Sequence, residues 1–186
     1  MIEKNIERIW VSYSEIHNLV RIGCEIVVKN YNYVPDFLVG ISGGGLMPVR
    51  LAKTFLKEYS GMEIPIYVIG ISNYDSNNNQ LPEPRITQGL DEKIREEVKG
   101  KKVLLVDEVD DTRKTLEKAS NYLLDLKVDK LKILVIHSKE KEKQGKLPEG
   151  VDLYFVKKIP DVWVNYQWDF KELFDYEKQK ENLKVK

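Results

Sequence analysis

Cysteine is all but missing: the 186 residues include one, Cys24. An internal disulfide is therefore excluded, and Cys24, set in a helical apolar pattern, reads as a small core residue with no chemistry assigned to it. An excess of charge is missing too. Thirty Lys and Arg are balanced by thirty Asp and Glu, so nothing draws the whole chain toward nucleic acid or a membrane, and any basic patch must be local. No apolar run approaches the ~20 residues of a membrane helix, and the opening MIEKNIERIW lacks a signal-peptide stretch. A cytoplasmic protein is expected. What is present, 42% apolar and 32% charged residues, is typical of a globular chain, and the length predicts a single domain spanning 1–186.

The most informative stretch is KKVLLVDEVDDTRKTLEKA, residues 101–119. Val103 to Val106 form a short apolar run, as in a strand buried on both faces of a parallel sheet, and Asp107 and Glu108 stand at its carboxyl end. Asp110, Asp111 and Thr112 can cap a helix whose apolar face is Leu116, Ala119, Leu123 and Leu124. Ligands bind at such strand-loop-helix junctions in open α/β sheets, where helix N–H groups face the opening. Adjacent carboxylates suit a vicinal diol or a hard cation, and the loop behind them suits an anion. A sugar phosphate meets both demands; an acidic solvated turn is the plainer alternative.

Other segments fit the same α/β pattern. Ser12 and Glu15 have capping-box spacing, opening a helix to about Lys29 with Ile16, Leu19, Gly23, Ile26 and Val27 on one face. His17 on that helix reads as surface or packing. Phe37–Ile41 reads as a buried strand, followed by the glycine-rich SGGGLMPVRLAKTFLKEY. That loop matches neither GxGxxG nor the P-loop, but its glycines let backbone N–H groups approach an oxyanion. Residues 64–71 read as a strand, and 72–90, polar and broken by Pro82 and Pro84, as a flexible loop. LDEKIREEVKG is either helix or extended chain. Residues 132–137 and 153–156 read as further strands, and KEKEKQGKLPEG as a solvated turn. The aromatic-rich IPDVWVNYQWDF precedes a terminal helix or tail.

VLLVDEVDDTRKT resembles the phosphoribosyl-diphosphate (PRPP) motif of type I phosphoribosyltransferases: an apolar strand, two acids, two linkers, then Asp, Thr or Ser, Gly, any residue and Thr. Arg113 stands where most members have glycine, a variant of one hypoxanthine-guanine branch. The aromatic segment is similar to Asp-x-Trp-x-x-x-Pro-Trp-Asp of xanthine-guanine and fungal-like hypoxanthine-guanine enzymes, with Gln167 at the proline. The resemblance implies an open, mostly parallel sheet flanked by helices, a C-terminal hood at 157–186 and an active-site loop at 72–90 that closes over the site.

It also implies roles. PRPP would be held by Asp107, Glu108, Asp110, Asp111, Thr112, Arg113, Lys114 and Thr115, with Mg2+ shared between PRPP and Glu108 and Asp107, partly through water. Ser42, Gly43 and Gly44 would form the diphosphate loop. Members commonly carry a cation where this chain has Gly43, so backbone amides, helped by Arg50 or Lys53, would make that contact. Asn73 and Tyr74 would begin the lid. Lys139 would donate to the purine O6, Trp163 would stack on the base, and Val164 and Asp169 would read its far edge. Asp111 would handle the N7 proton. The implied activity is phosphoribosyl transfer from PRPP to a 6-oxopurine in purine salvage, by a homodimer paired through the glycine-loop face. Two alternatives stand: a PRPP-sensing regulator that binds nucleic acid, which neutrality disfavours, and transfer to adenine or a pyrimidine, of which Lys139, a donor, disfavours adenine.

Overall fold

The computed structural model describes residues 8–74, 80–171 and Glu181. In chain order the elements are β1 (Arg8–Val11), α1 (Tyr13–Glu25), β2 (Phe37–Ile41), α2 (Leu46–Ser60), β3 (Ile66–Tyr74), β4 (Gln80–Gln88), α3 (Glu92–Glu97), β5 (Lys102–Asp110), α4 (Lys114–Asp125), β6 (Lys130–Lys139), β7 (Asp152–Ile159) and β8 (Trp163–Tyr166). Six strands form one sheet in the order β4-β3-β2-β5-β6-β7. Only the β3–β4 pairing is antiparallel.

Strand periodicity assigns the two faces of this sheet. Leu38, Leu104, Val106, Leu134 and Ile136 pack against Ile16, Val20 and Cys24 of α1 and Val49, Ala52 and Leu56 of α2. Their neighbours Val39, Val103, Leu105, Ile133 and Val135 pack against Ile94 of α3 and Leu116, Ala119 and Leu123 of α4. Both faces of the central strands are apolar because both are covered by helices. The expected capping box is present: Glu15 N donates to Ser12 Oγ, and Ser12 N donates to Glu15 Oε2. The helix then widens into a π turn over Ile26–Asn30, closed by Tyr31 N donating to Ile26 O. Asp91 caps α3 by accepting from Ile94 N, so LDEKIREEVKG is helical at its centre.

Three expectations change. First, β5 does not end at Val106: its pairing with β6 continues to Asp110–Ser138, whereas its pairing with β2 stops at Gly40–Val106. The acids therefore lie on the strand itself, with one backbone edge released toward the glycine loop. Second, most of 72–90 is not loop. Residues 72–74 extend β3 and Gln80–Gln88 form β4, an edge strand where Pro82 and Pro84 are tolerated. Third, the hood includes an N-terminal strand: β1 pairs in parallel with β8, placing Val11 opposite Tyr166. The expected terminal helix or tail at 171–186 lies, apart from Lys171 and Glu181, outside the described residues.

Candidate active site

Strand order reverses between β2 and β5, since β3 lies beyond β2 on one side and β6 beyond β5 on the other. The crevice at the carboxyl ends there is where the geometry of an open α/β sheet places a ligand. A cavity of about 400 Å³ occupies it, lined by Ser42, Gly44, Asn73 and residues 107–115.

The acidic end comes first. Asp107 is buried, and that burial, with the neighbouring Glu108 charge second, holds its carboxyl well above the usual range. Glu108 lies against the glycine loop so closely that a Cβ on Gly44 would overlap its carboxyl. Gly43 has φ +95, a left-handed conformation that glycine adopts without steric cost. Buried Glu108 Oε2 has no hydrogen-bond partner among the described residues. Two close carboxylates, one with an orphan oxygen, fit a hard cation. The described residues contain no group of three or more potential ligands, so such a cation would draw most of its ligands from substrate and water. Of the two cations after the loop, Arg50 contacts Thr54 on α2 and Lys53 contacts Glu63 just beyond that helix.

The next turn separates two aspartates of different character. Asp110 is 0% exposed at its side chain and accepts from Arg113 Nη2 at 2.7 Å and Ser138 Oγ at 3.2 Å, with Lys143 Nζ at 3.3 Å. Through these contacts its side chain braces the loop from inside. Asp111 is half-exposed at the cavity. Burial alone would raise its carboxyl, but hydrogen bonds from Lys141 and Lys139 outweigh that and hold it below the usual range. Lys139 Nζ lies 3.1 Å from Asp111 Oδ2, and Lys141 Nζ lies 2.9 Å from Asp111 Oδ1 and 3.0 Å from Asp161. Thr112, Lys114 and Thr115 line the cavity at the start of α4, where a helix leaves its first N–H groups without intrahelical partners. Arg113 takes φ +70, the conformation that glycine serves in the usual motif.

The lid and hood adjoin these parts. Asn73 Nδ2 donates to Thr115 Oγ1 at 3.3 Å, and Lys114 Nζ donates to the Pro82 carbonyl at 3.2 Å, tying the β3–β4 hairpin to α4. Tyr74 ends β3. In the hood, Trp163 is 59% exposed, a flat apolar surface available to a ligand. Val164 is buried on the opposite face with Tyr166. The Asp169 carboxyl is raised by burial first and by the Glu108 charge second. Trp163, Val164 and Asp169 are not among the residues that line this cavity.

Several participants carried no sequence signal. Tyr166 donates its hydroxyl to the Glu108 carbonyl at 3.2 Å, and His137 Nδ1 lies 2.9 Å from that hydroxyl, fastening the hood to the acidic strand. In the sequence Lys141 and Lys143 read as charges of a solvated turn. Only the return of β6 alongside β5 brings them to the site.

Residues 12–175 match the family described as phosphoribosyl transferase domain. The chain is 34% identical to xanthine phosphoribosyltransferase 1 of Saccharomyces cerevisiae, over 91% of this chain and 93% of that one. It is 32% identical to the hypoxanthine-guanine phosphoribosyltransferase of Schizosaccharomyces pombe, with the same coverage. Among solved structures, a Neisseria gonorrhoeae protein with bound ppGpp superposes with a TM-score of 0.84 at 34% identity, over 97% of this chain and 99% of that one. The family match over most of the chain, with these likenesses, shows that the chain belongs to the phosphoribosyltransferase family.

Proposed function

We propose that the protein transfers a 5-phosphoribosyl group from PRPP to a 6-oxopurine, releasing diphosphate and forming the nucleoside monophosphate in purine salvage. One observation carries the reading: buried Asp107, its half-buried neighbour Glu108, the glycine loop and the start of α4 surround one cavity. Breaking the C1–diphosphate bond builds positive charge on the ribose, which nearby carboxylates stabilise. Asp107 and Glu108 hold the ribose hydroxyls. They would also hold Mg2+, whose charge neutralises the departing diphosphate. The amides of Ser42, Gly43 and Gly44 receive the diphosphate. The turn from Asp111 to Thr115 receives the 5-phosphate.

Asp111 and Lys139 begin as an ion pair, and a 6-oxopurine divides them. Lys139 donates to O6, and Asp111, released, takes or shares the N7 proton as the N9 bond forms. Lys139 as a donor favours a carbonyl over an amino group. Trp163 stacks on the base, and Val164 and Asp169 meet its C2 edge. Incubation with PRPP, Mg2+ and single nucleobases should release diphosphate with 6-oxopurines and not with adenine. Asp111→Asn should lower kcat by about 100-fold or more with little change in PRPP affinity. Unchanged turnover would remove Asp111 from catalysis.

The protein is further proposed to work in the cytoplasm as a homodimer. Exposed Leu46 and Met47 beside the glycine loop support a subunit contact there. A regulatory reading also has an observation behind it. The Neisseria relative holds ppGpp, a guanine nucleotide whose two diphosphate groups suit a cavity built for diphosphate, ribose and phosphate. Competitive inhibition against PRPP tests this, and non-competitive behaviour would place ppGpp elsewhere.

A further inference from the structure

The segment after β6 has the composition of an idle turn, yet it forms part of the cavity. The Lys143 side chain is only 15% exposed. Its Nζ donates to the carbonyls of Asp110 at 2.7 Å, Asp111 at 2.9 Å and Lys139 at 2.9 Å. An ammonium has three donors, matched here by three backbone carbonyls, with Asp110 Oδ2 also 3.3 Å away. The next two residues, Gln144 and Gly145, both donate their N–H groups to the Thr112 carbonyl at 3.0 Å. Gly145 is buried, and a Cβ there would fall 2.6 Å from the Arg113 carbonyl carbon and oxygen and 2.7 Å from Lys114 N. Residues 143–145 therefore touch the backbone of every residue from Asp110 to Lys114.

That contact has a directional consequence. The C=O and N–H of a trans peptide point opposite ways. Because the carbonyls of Asp110, Asp111 and Thr112 all turn toward residues 143–145, the N–H groups of Asp111, Thr112 and Arg113 all turn away from them. Successive N–H groups turned the same way make an anion-binding concavity. Gln144 is exposed, and it lines the same cavity.

We propose that Lys143, Gln144 and Gly145 are the second half of the 5-phosphate subsite. Lys143 and Gly145 are positioning residues that aim the loop amides, and Gln144 contacts the phosphate with its carboxamide. This rests on the phosphoribosyl reading of the cavity. It adds to that reading a strap distant from the motif, and it explains how the loop keeps its shape with Arg113 in place of glycine.

Calorimetric titration of ribose 5-phosphate without magnesium tests the strap apart from the diphosphate and the base. Wild-type protein should bind. Gln144→Glu places a like charge beside the phosphate on an exposed residue that costs no folding, and should weaken binding about tenfold; Gln144→Ala should weaken it less. Lys143→Met should weaken binding and Lys143→Arg should restore part of it, with folding followed by thermal unfolding. In turnover these variants should raise KM for PRPP and leave KM for the purine unchanged, a split that general loosening would not produce. Wild-type binding with an unaltered Gln144→Glu variant overturns the strap alone. Absence of ribose 5-phosphate and PRPP binding by the wild type overturns the phosphoribosyl reading and the strap with it.

Discussion

Arg113 sets two opposed effects against each other. A left-handed backbone costs a non-glycine residue roughly 1–2 kcal/mol, and Arg113 accepts that at φ +70. In return its guanidinium meets the Asp110 carboxylate, whose side chain is 0% exposed. Removing one partner of a buried pair costs roughly 3–5 kcal/mol, less here because Ser138 and Lys143 still reach Asp110. Arg113→Ala should therefore lose about 2–4 kcal/mol, and Arg113→Gly about 1 kcal/mol less, since glycine sheds the backbone strain. Urea unfolding of the two variants measures the difference; equal losses would mean that no strain is stored. The motif made Arg113 and Asp110 visible as site residues but not their partnership. Two oppositely charged side chains near a phosphate look alike in sequence whether they face ligand or each other. What turns Asp110 inward is Ser138, 28 residues away, on a strand whose register no local pattern prints.

The segments differ in how openly the sequence declared them. β2, β5 and β6 are apolar on both faces, and such runs stand out because helices cover both sides. β4 was hidden by its two prolines and polar residues, which an edge strand tolerates. β1 and β8, four residues each, are too short to show a period, and each exists only because the other is present. The hood they form is held to the sheet through His137, buried beside Tyr166. Burial first, with Lys157 second, lowers the His137 pKa from 6.5 to about 4, so the folded protein keeps the ring neutral. An unfolded histidine binds a proton nearer pH 6.5, so stability from this site is complete above that pH and falls as pH drops toward 4. The loss approaches about 3 kcal/mol. His137→Asn keeps a donor for Tyr166 and removes the titration. Its denaturation midpoint should fall less than the wild type's between pH 7 and 4, and parallel curves would show that His137 is protonated in the folded state.

Because the topology reverses beneath the cavity, the parts that meet there belong to separate stretches of chain, and in the proposed function they take separate parts of one substrate. The end formed by residues 111–115 and the strap offers neutral amides and needs no cation for a phosphate. The end formed by Asp107 and Glu108 is different. There burial, and the Glu108 charge after it, raise the Asp107 carboxyl, and a diphosphate would bring further negative charge beside Glu108 that a cation between them would offset. Metal removal should thus act on one end alone. With ligand at about 100 times Kd, stabilisation is about 2.7 kcal/mol, roughly 5–10 °C in Tm for a chain of this size. PRPP with Mg2+ should raise Tm by about that amount, and EDTA should remove most of the rise. Ribose 5-phosphate should raise Tm equally with and without EDTA. If EDTA abolished both shifts, the amide end would also depend on metal; if it changed neither, Asp107 and Glu108 would hold no cation with PRPP.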